Sequence, residues 1–204
     1  MPDKKHYRKR MAELKCCILI PTYNNAHTLG KVIQSVLEFT EQVLVVNDGA
    51  TDATPEILKT FPQLRVLTHE QNKGKGVALR NGFNFARDND YDYCITIDSD
   101  GQHSAEDIPK FIDKLEESPA SIIMGSRNME QSSVPGKSSF GHAVSNFWFR
   151  FETGINLPDT QSGFRLYPLK SLKPIFFFTT KFEFEIEVIV KAAWHGIPVL
   201  STYQ

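Results

Sequence analysis

The chain has 204 residues and a formal net charge of −1, with 41% hydrophobic and 23% charged residues. This composition is typical of one soluble globular domain and excludes a disordered chain, and the balanced charge argues against a nucleic-acid partner. No run approaches the about 18 apolar residues of a membrane span, and the amino terminus lacks the apolar centre of a signal peptide.

The amino-terminal segment carries the most basic stretch, "KKHYRKR". We expect residues 1–15 to form a solvated basic tail rather than a contact with an anionic membrane. Residues 16–204 are predicted to form a single domain. The last predicted strand ends just before Gln204, which is compatible with a fragment of a longer protein.

The three cysteines lie in apolar, strand-like runs, and two of them are adjacent. This usage predicts buried thiols in a reducing compartment rather than a disulfide framework. We therefore expect a cytoplasmic protein. Of the other conspicuous residues, His69 and His195 are expected at the surface or at helix ends, and Trp194 in the core.

Strands and helices are predicted to alternate along the first 126 residues. Apolar runs predict strands at residues 16–23, 42–47, 64–69, 94–97 and 121–126. Helices are predicted at residues 26–39 and 75–89, after Thr54 as an N-cap, and after Ser104. This order indicates an α/β fold with a mostly parallel open sheet covered by helices on both faces.

The pattern changes after residue 126. Residues 127–139 are polar and rich in turn formers, which predicts a loop. Residues 140–154 have apolar side chains at helical spacing, either in a core helix or in a helix near a lipid surface. A last helix is predicted at residues 182–196 and a last strand at residues 197–202.

Candidate site residues follow the predicted strands. In open parallel sheets, ligands bind at the carboxyl ends of strands. We expect six residues at those ends to share one crevice: Pro21, Tyr23, Asn24, Asp48, Asp98 and Asp100.

The segment "DSDGQH" combines two carboxylates with an amide just after a buried strand. Asp98, Asp100 and Gln102 offer hard oxygen ligands, which suit Mg²⁺ or Mn²⁺. An EF-hand is a poor alternative, because Pro109 occupies the twelfth position, where a glutamate is needed. Magnesium in proteins usually keeps waters or binds phosphates as well, so a nucleoside diphosphate is a suitable additional ligand.

The glycine-rich stretch "NKGKGVALRNG" begins a predicted helix. Lys73, Lys75 and Arg80 are cations beside this helix N-terminus, which favours an anion site. The stretch is neither an NTPase phosphate loop nor a dinucleotide fingerprint, because Leu79 replaces the third glycine. A simple turn is the alternative.

Six motifs occur in the order found in family 2 glycosyltransferases: "PTYNN", "VNDGATDAT", "NKGKGVALRNG", "DSDGQH", "GSR" and "DTQSGFRLY". The chain resembles that family over residues 16–200. The most similar subgroup transfers sugars to dolichyl or polyprenyl phosphate, and "NKGKG" with "DTQSGF" resembles its glucosyl branch more than its mannosyl one. Asn47 departs from the aspartate, and Asn25 from the glutamate, that many members carry there.

The resemblance implies a GT-A fold with a Rossmann-like nucleotide-binding half and an acceptor-binding half. It also implies an inverting reaction, a nucleotide-sugar donor and a divalent metal. Residues implied to bind the nucleotide sugar are Pro21, Tyr23, Asn24, Asp48, Lys75, Arg80 and Asp98, with Asp48 on the base edge. The implied metal ligands are Asp98, Asp100 and Gln102. Residues implied in catalysis or near the acceptor are Asp100, Arg127, Asp159 and Arg165.

We therefore predict hexose transfer to a polyprenyl-phosphate acceptor in cell-envelope glycan synthesis, with UDP-glucose favoured as donor and GDP-mannose next. A phosphate monoester is already anionic at pH 7, so it needs no protein base. Arg127, Lys137 and Arg165 are candidates for neutralising it. Lipid contact would be peripheral, on the cytoplasmic membrane face, and residues 175–178 are either core, a lid anchor or a lipid-facing patch.

Three alternatives remain at this point. A saccharide hydroxyl acceptor, as in polysaccharide synthesis, would need a carboxylate base, for which Glu183 and Glu185 are candidates. A sugar-phosphate nucleotidyltransferase also uses an open α/β sheet and Mg²⁺. A nucleotide-binding module without catalysis is the third.

Overall fold

The computed structural model describes residues 3–125, 153–155 and 162–202. Its strands are β1 (Cys16–Thr22), β2 (Val43–Asn47), β3 (Arg65–Thr68), β4 (Tyr93–Thr96), β5 (Ile122–Met124), β6 (Arg165–Pro168) and β7 (Val199–Ser201). Its helices are α1 (Lys4–Glu13), α2 (Ala26–Leu37), α3 (Thr54–Lys59), α4 (Lys75–Asp88), α5 (Ile108–Glu117), α6 (Leu169–Leu172) and α7 (Glu183–Trp194). A 3₁₀ turn (Ala105–Asp107) leads into α5.

The described strands form one sheet in the order β3-β2-β1-β4-β6-β5-β7. Strand β1 pairs in parallel with β2 on one side and with β4 on the other. Apolar clusters cover both faces, which explains why β1 and β2 are buried along their whole length. The predicted α/β fold with a mostly parallel sheet is confirmed.

Strand β6 is an element that the sequence pattern did not predict. It runs antiparallel to β4 and to β5, with Leu166 opposite both Ile95 and Ile123. Four residues ending in proline are too short a run to show a strand period. The strand matters for the site, because it brings Gly163 beside the end of β4.

The amino-terminal segment is a helix packed on the domain, so the expected solvated tail is wrong. Met11 is fully buried in one of the two core clusters. Three cations of α1 pair with carboxylates of the domain: Lys4 with Glu38, Arg8 with Glu41 at 3.0 Å, and Arg10 with Glu116. These cations are therefore already neutralised by the chain itself.

Two helix starts differ in their details from the prediction. Thr54 is the first residue of α3 rather than its cap, and the Asp52 carboxylate accepts a hydrogen bond from the Thr54 amide at 2.9 Å. The nearby Thr54 side chain, together with the amides of Ala26 and Thr54, lowers the pKa of Asp52. Ser104 does cap its turn, accepting from the Glu106 amide at 3.3 Å.

The thiols and two other residues can now be placed. Cys16, Cys17 and Cys94 are free and buried as predicted, and burial raises the pKa of Cys16 and Cys94 well above that of an ordinary thiol. His195 lies at the end of α7 as predicted. Trp194 was expected in the core, but it is exposed.

Across the described ranges, no helix combines the length and the apolar character that crossing a bilayer requires.

The packing of α1 leads to a first prediction. Met11→Ala should lower the free energy of unfolding by about 3 kcal/mol, because it opens a cavity in a closed core. Lys9→Ala, on the exposed side of the same helix, should change it by less than about 0.5 kcal/mol. Urea unfolding followed by circular dichroism measures both values, and equal, small effects would mean that α1 is not docked.

Candidate active site

The cleft that holds most of the predicted site residues lies at the carboxyl edge of the sheet, between the end of β1, which pairs with β2 on one side, and the end of β4 on the other. Its volume is about 470 Å³. The residues that line it are Pro21, Thr22, Tyr23, Asn25, Asp48, Asn72, Gly74, Lys75, Ala78, Asp98, Ser99, Asp100, Lys181 and Phe182. A topological switch point of this kind is where open α/β sheets bind their ligands.

Five of the six residues that were expected to share a crevice line this cleft: Pro21, Tyr23, Asp48, Asp98 and Asp100. Asn24 is the exception. It adopts a left-handed backbone conformation at φ 53°, and its side-chain oxygen accepts a hydrogen bond from the Thr51 amide at 2.8 Å. Asn24 therefore ties two loops together beside the cleft rather than lining it.

Lys75 occupies the centre of the charge arrangement. Its ammonium lies 2.8 Å from Asp98 Oδ1 and 2.9 Å from Glu185 Oε2. The Lys75 side chain is only 18% exposed. The positive charge beside Asp98 thus comes from the glycine-rich turn. The sequence predicted that Lys75 would face an anionic ligand, but it did not predict the ion pair with Asp98.

These two carboxylates control the protonation of Lys75. Burial by itself lowers the pKa of Lys75, but the attraction of Glu185 and Asp98 outweighs burial, and the pKa rises above that of an ordinary lysine. The ammonium therefore stays charged throughout the physiological pH range. It offers the cleft a fixed cation at the start of α4.

Asp48 holds the glycine-rich turn in place through hydrogen bonds to its backbone. Its carboxylate accepts hydrogen bonds from the backbone amides of Lys73, at 2.9 Å, and Gly74, at 2.8 Å. Gly74 has φ 95°, a conformation that favours glycine. Asp48 lines the cleft as predicted, and it also fixes the turn that presents Lys75.

His69 completes this support, although a position at the surface or at a helix end was expected for it. The ring is buried, with Nδ1 at 2.7 Å from Asp48 and Nε2 at 2.9 Å from the Asn81 side-chain amide. Because the amide nitrogen donates to Nε2, Nδ1 carries the proton and donates it to Asp48. Asn81 lies in α4, so the hydrogen bonds from Asn81 to His69 and from His69 to Asp48 connect that helix to the end of β2.

Close approach of β6 explains a second glycine. A Cβ atom at Gly163 would overlap the Asp98 carboxylate. The Gly163 carbonyl accepts a hydrogen bond from Thr96 Oγ1 at 2.8 Å, which fixes this approach. The "SGF" motif therefore makes room for the carboxylate that Lys75 binds.

Asp100 and Gln102 are both exposed, and Asp100 lines the cleft whereas Gln102, which follows it in the turn, does not. Asp100 Oδ1 accepts a hydrogen bond from the Gln102 amide at 2.9 Å, which closes a tight turn. Among the described residues, no group of three acidic, histidine or cysteine side chains could hold a metal alone. Two carboxylates and an amide oxygen nevertheless fit Mg²⁺ or Mn²⁺ when phosphate and water complete the shell.

Two of the three arginines with predicted anion contacts, Arg80 and Arg165, lie outside the cleft lining. Arg165 is fully buried in β6, and its guanidinium donates to the carbonyl oxygens of Ser162 and Glu185, both at 2.6 Å. Its expected position near the acceptor phosphate is therefore corrected to a structural one. Arg80 does not line the cleft, and it donates to the Thr179 carbonyl oxygen.

The two glutamates considered as bases differ in position. Glu185 is buried and holds Lys75, whereas Glu183 is exposed at the first residue of α7. The segment before α7 also contributes Lys181 and Phe182 to the cleft, which sequence reasoning missed. The sequence feature that could have indicated this contribution is the lysine between the phenylalanine run and the last helix.

Some predicted residues and elements lie outside the described residues. They are Arg127, Lys137 and Asp159, the loop at residues 127–139, and all of the helix at residues 140–154 except its end.

A second, wider groove of about 670 Å³ runs along α3 and β3. Its lining includes Pro55, Leu58, Phe61 and Val66, and it contains neither of the strand-end aspartates. We assign the chemistry to the smaller cleft, because the convergent charges lie there.

The sequence profile of Glycosyl transferase family 2 matches residues 17–176. The chain belongs to this family. The resemblance carried by the six motifs is confirmed, and the chain is a glycosyltransferase.

Two relatives act on lipid phosphates by name. The dolichyl-phosphate beta-glucosyltransferase of Dictyostelium discoideum is 24% identical over 209 residues, covering 89% of this chain and 63% of the relative. The UDP-N-acetylglucosamine–dolichyl-phosphate N-acetylglucosaminyltransferase of Methanococcus voltae is 27% identical over 183 residues, covering 80% of this chain and 73% of the relative.

A solved structure establishes the fold. Glucosyl-3-phosphoglycerate synthase of Mycobacterium tuberculosis, in complex with Mn²⁺, UDP-glucose and phosphoglyceric acid, superposes with a TM-score of 0.75. The alignment covers 99% of this chain and 75% of the synthase at 19% identity. The fold is therefore GT-A, as the resemblance implied.

The Lys75 ion pairs predict a distinctive pH dependence. Because the folded pKa of Lys75 is raised, its contribution to stability is complete below its ordinary pKa of 10.5 and is lost as pH rises through the folded pKa. Lys75→Gln should lower the free energy of unfolding by about 3 kcal/mol at pH 8, because Asp98 and Glu185 lose their cation. The decrease should be smaller at pH 11, where the wild-type ammonium is itself partly deprotonated.

Lys73→Gln is the matched control, because Lys73 is exposed and supports Asp48 through its backbone amide. It should change the free energy of unfolding by less than about 0.5 kcal/mol at either pH. Urea titrations of the three proteins measure these values. A Lys75→Gln effect as small as that of the control would contradict the ion pairs.

Proposed function

We propose that this glycosyltransferase transfers a hexose, with inversion, from a nucleotide-diphosphate sugar to a polyprenyl-phosphate acceptor. The observation that carries the proposal is the convergence of Asp98, Asp100 and Lys75 in one cleft at the switch point. Carboxylates that could bind a metal and an ammonium that could bind a phosphate lie in the same cleft as the end of β1. Family membership favours this chemistry over nucleotidyl transfer and over a module without catalysis.

UDP-glucose is the favoured donor and GDP-mannose the next. The M. voltae relative uses UDP-N-acetylglucosamine by name, and the synthase structure holds UDP-glucose. Tyr23, beside Pro21 at the end of β1, is 43% exposed, which leaves its ring available for the nucleoside. The two oxygens of Asp48 accept three hydrogen bonds. A carboxylate can accept about four, so one remains for the edge of the nucleotide base.

The proposed cofactor is Mg²⁺ or Mn²⁺, held by Asp98, Asp100 and Gln102. When bound, the metal supplies charge neutralisation for the leaving diphosphate. The chain's own cation acts in the same direction, because the Lys75 ammonium is fixed by Asp98 and Glu185 before any ligand arrives. Preorganised charge of this kind stabilises developing negative charge without reorganisation.

The ion pair of Glu185 with Lys75 supports a phosphate acceptor. A hydroxyl acceptor would need a carboxylate base, but proton uptake by Glu185 would break its ion pair with Lys75. An acceptor phosphate brings its own anionic oxygen and needs no base. Lys181 at the cleft lining is the exposed cation that we assign to that phosphate.

The donor is tested by thermal shift, because a ligand that binds the native state raises its apparent stability. UDP or UDP-glucose with Mn²⁺ should raise the melting temperature of the wild-type chain, and more than the nucleotide or the metal alone. A response to GDP and not to UDP would move the donor to GDP-mannose. A response to neither nucleotide with metal would overturn the proposal.

The role of the strand-end carboxylate is tested by Asp100→Asn. Turnover of UDP-glucose with a polyprenyl phosphate should fall by about 100-fold or more, because the leaving diphosphate loses its counter-charge. Asp88→Asn is the matched control, since Asp88 belongs to another Asp-x-Asp pair in an exposed helix end. Equal rates for the two variants would refute the role of Asp100.

The acceptor class is tested on the exposed glutamate. Glu183→Gln should leave the rate within about threefold of wild type if the acceptor is a phosphate. A protein base contributes about 100- to 10,000-fold, so a loss of that size would favour the hydroxyl alternative. The assay measures release of free nucleotide with each acceptor in parallel.

A further inference from the structure

Three phenylalanines in the segment that leads into α7 are exposed to solvent, and one of them, Phe182, lines the cleft. Phe176, Phe178 and Phe182 are 72%, 69% and 73% exposed, and we call them the aromatic patch. Phenylalanine is normally buried, and neighbouring exposed aromatic rings usually mark an interaction surface. The rings of Phe176 and Phe178 touch each other, with centroids 4.9 Å apart.

The chain holds these rings outward by specific hydrogen bonds. The Glu187 carboxylate accepts from the backbone amides of Phe178 and Thr179, both at 2.9 Å, and Lys191 donates to the Phe176 carbonyl at 2.7 Å. Burial alone would raise the pKa of Glu187, but the bonds from Lys191 and Thr179 lower it to about 2. The exposure of the patch is therefore built into the segment.

The same segment shows that apolar burial was available to it. Phe177 turns inward between its two exposed neighbours, and its ring lies 5.5 Å from that of Phe184. Ile175 is buried as well. Alternate residues of the segment thus enter the core, whereas Phe176 and Phe178 contact each other at the surface, with the Lys191 ammonium 4.2 Å from the Phe178 ring centroid.

The charges beside the patch are cationic and available. Lys173 and Lys181 are exposed, and within the residues that the structure describes neither forms an ion pair, in contrast to the paired basic residues of α1. Glu185 and Glu187 are occupied by Lys75 and Lys191. The exposed charges left in this segment are then two lysines and one carboxylate, that of Glu183. The surface therefore carries a net positive charge and would attract an anionic partner.

We propose that the aromatic patch, with Lys173 and Lys181, docks the domain on the surface of an anionic lipid bilayer. Exposed rings enter the interface between headgroups and acyl chains, while lysines contact anionic headgroups. Phe182 and Lys181 also line the cleft, so docking opens the cleft toward the membrane. That consequence rests on the proposed lipid-phosphate acceptor, but the docking itself does not.

The test is vesicle co-sedimentation of the whole chain, without nucleotide or acceptor lipid. Wild type should bind vesicles of phosphatidylcholine with 30% phosphatidylglycerol and bind pure phosphatidylcholine more weakly. The double variant Phe176→Ser/Phe178→Ser should lose about tenfold or more in affinity for the anionic vesicles, because two rings no longer leave water. Phe176→Leu/Phe178→Leu, which keeps the apolar surface, should retain most of the binding.

Val66→Ser is the control, because Val66 is an exposed apolar residue on another element. Val66 is 42% exposed on β3 and lines the groove along α3 and β3 rather than the patch. Its affinity should stay within about twofold of wild type. Lys173→Gln should weaken binding to anionic vesicles by about fivefold at low salt, in line with the value of one lysine near an anionic surface.

Docking and catalysis can fail separately. Turnover on a short-chain acceptor dispersed in detergent should be unchanged in Phe176→Ser/Phe178→Ser, because neither residue lines the cleft. If wild type does not bind anionic vesicles, or if the serine variant binds as tightly as wild type, docking by the patch is refuted even with an active enzyme. Equal losses in Val66→Ser would also refute it. Thermal melts confirm that each variant is folded.

Discussion

The structure depends on one ion-pair arrangement: the ammonium of Lys75 between the carboxylates of Asp98 and Glu185. Each partner comes from a different element, namely the start of α4, the end of β4 and the first turn of α7. Removing any partner of a buried pair leaves a charge without compensation, which is costly. The arrangement therefore joins both halves of the domain at the point where chemistry is proposed.

The surrounding backbone explains why this arrangement holds its geometry. Asp48, backed by His69, fixes the turn that carries Lys75, and Gly163 lets β6 approach Asp98. On the other side, Gly76 sits so close to Phe184 that a Cβ there would lie 2.6 Å from the Phe184 Cβ. The glycines of two sequence motifs thus serve one purpose, which is to bring backbones within reach of a shared carboxylate and cation.

The sequence predicts the parts of this site that follow from local patterns. Apolar runs located β1, β2 and β4, and the rule of carboxyl ends brought Asp48, Asp98 and Asp100 together. Contacts between distant segments were not predictable in the same way. β6 is four residues long, and the burial of Arg165 follows from its antiparallel position between two strands. Likewise, the basic residues of α1 could not be matched with their carboxylates before the helix was placed.

The central claim is that the strand-end carboxylates and Lys75 form the binding site for a metal and a donor diphosphate. Anomalous diffraction at the manganese edge, from crystals grown with UDP and Mn²⁺, tests it most directly. The account predicts a manganese peak in contact with Asp98 or Asp100, with the diphosphate on the Lys75 side of the cleft. A peak away from both carboxylates, or UDP bound outside this cleft, would contradict it.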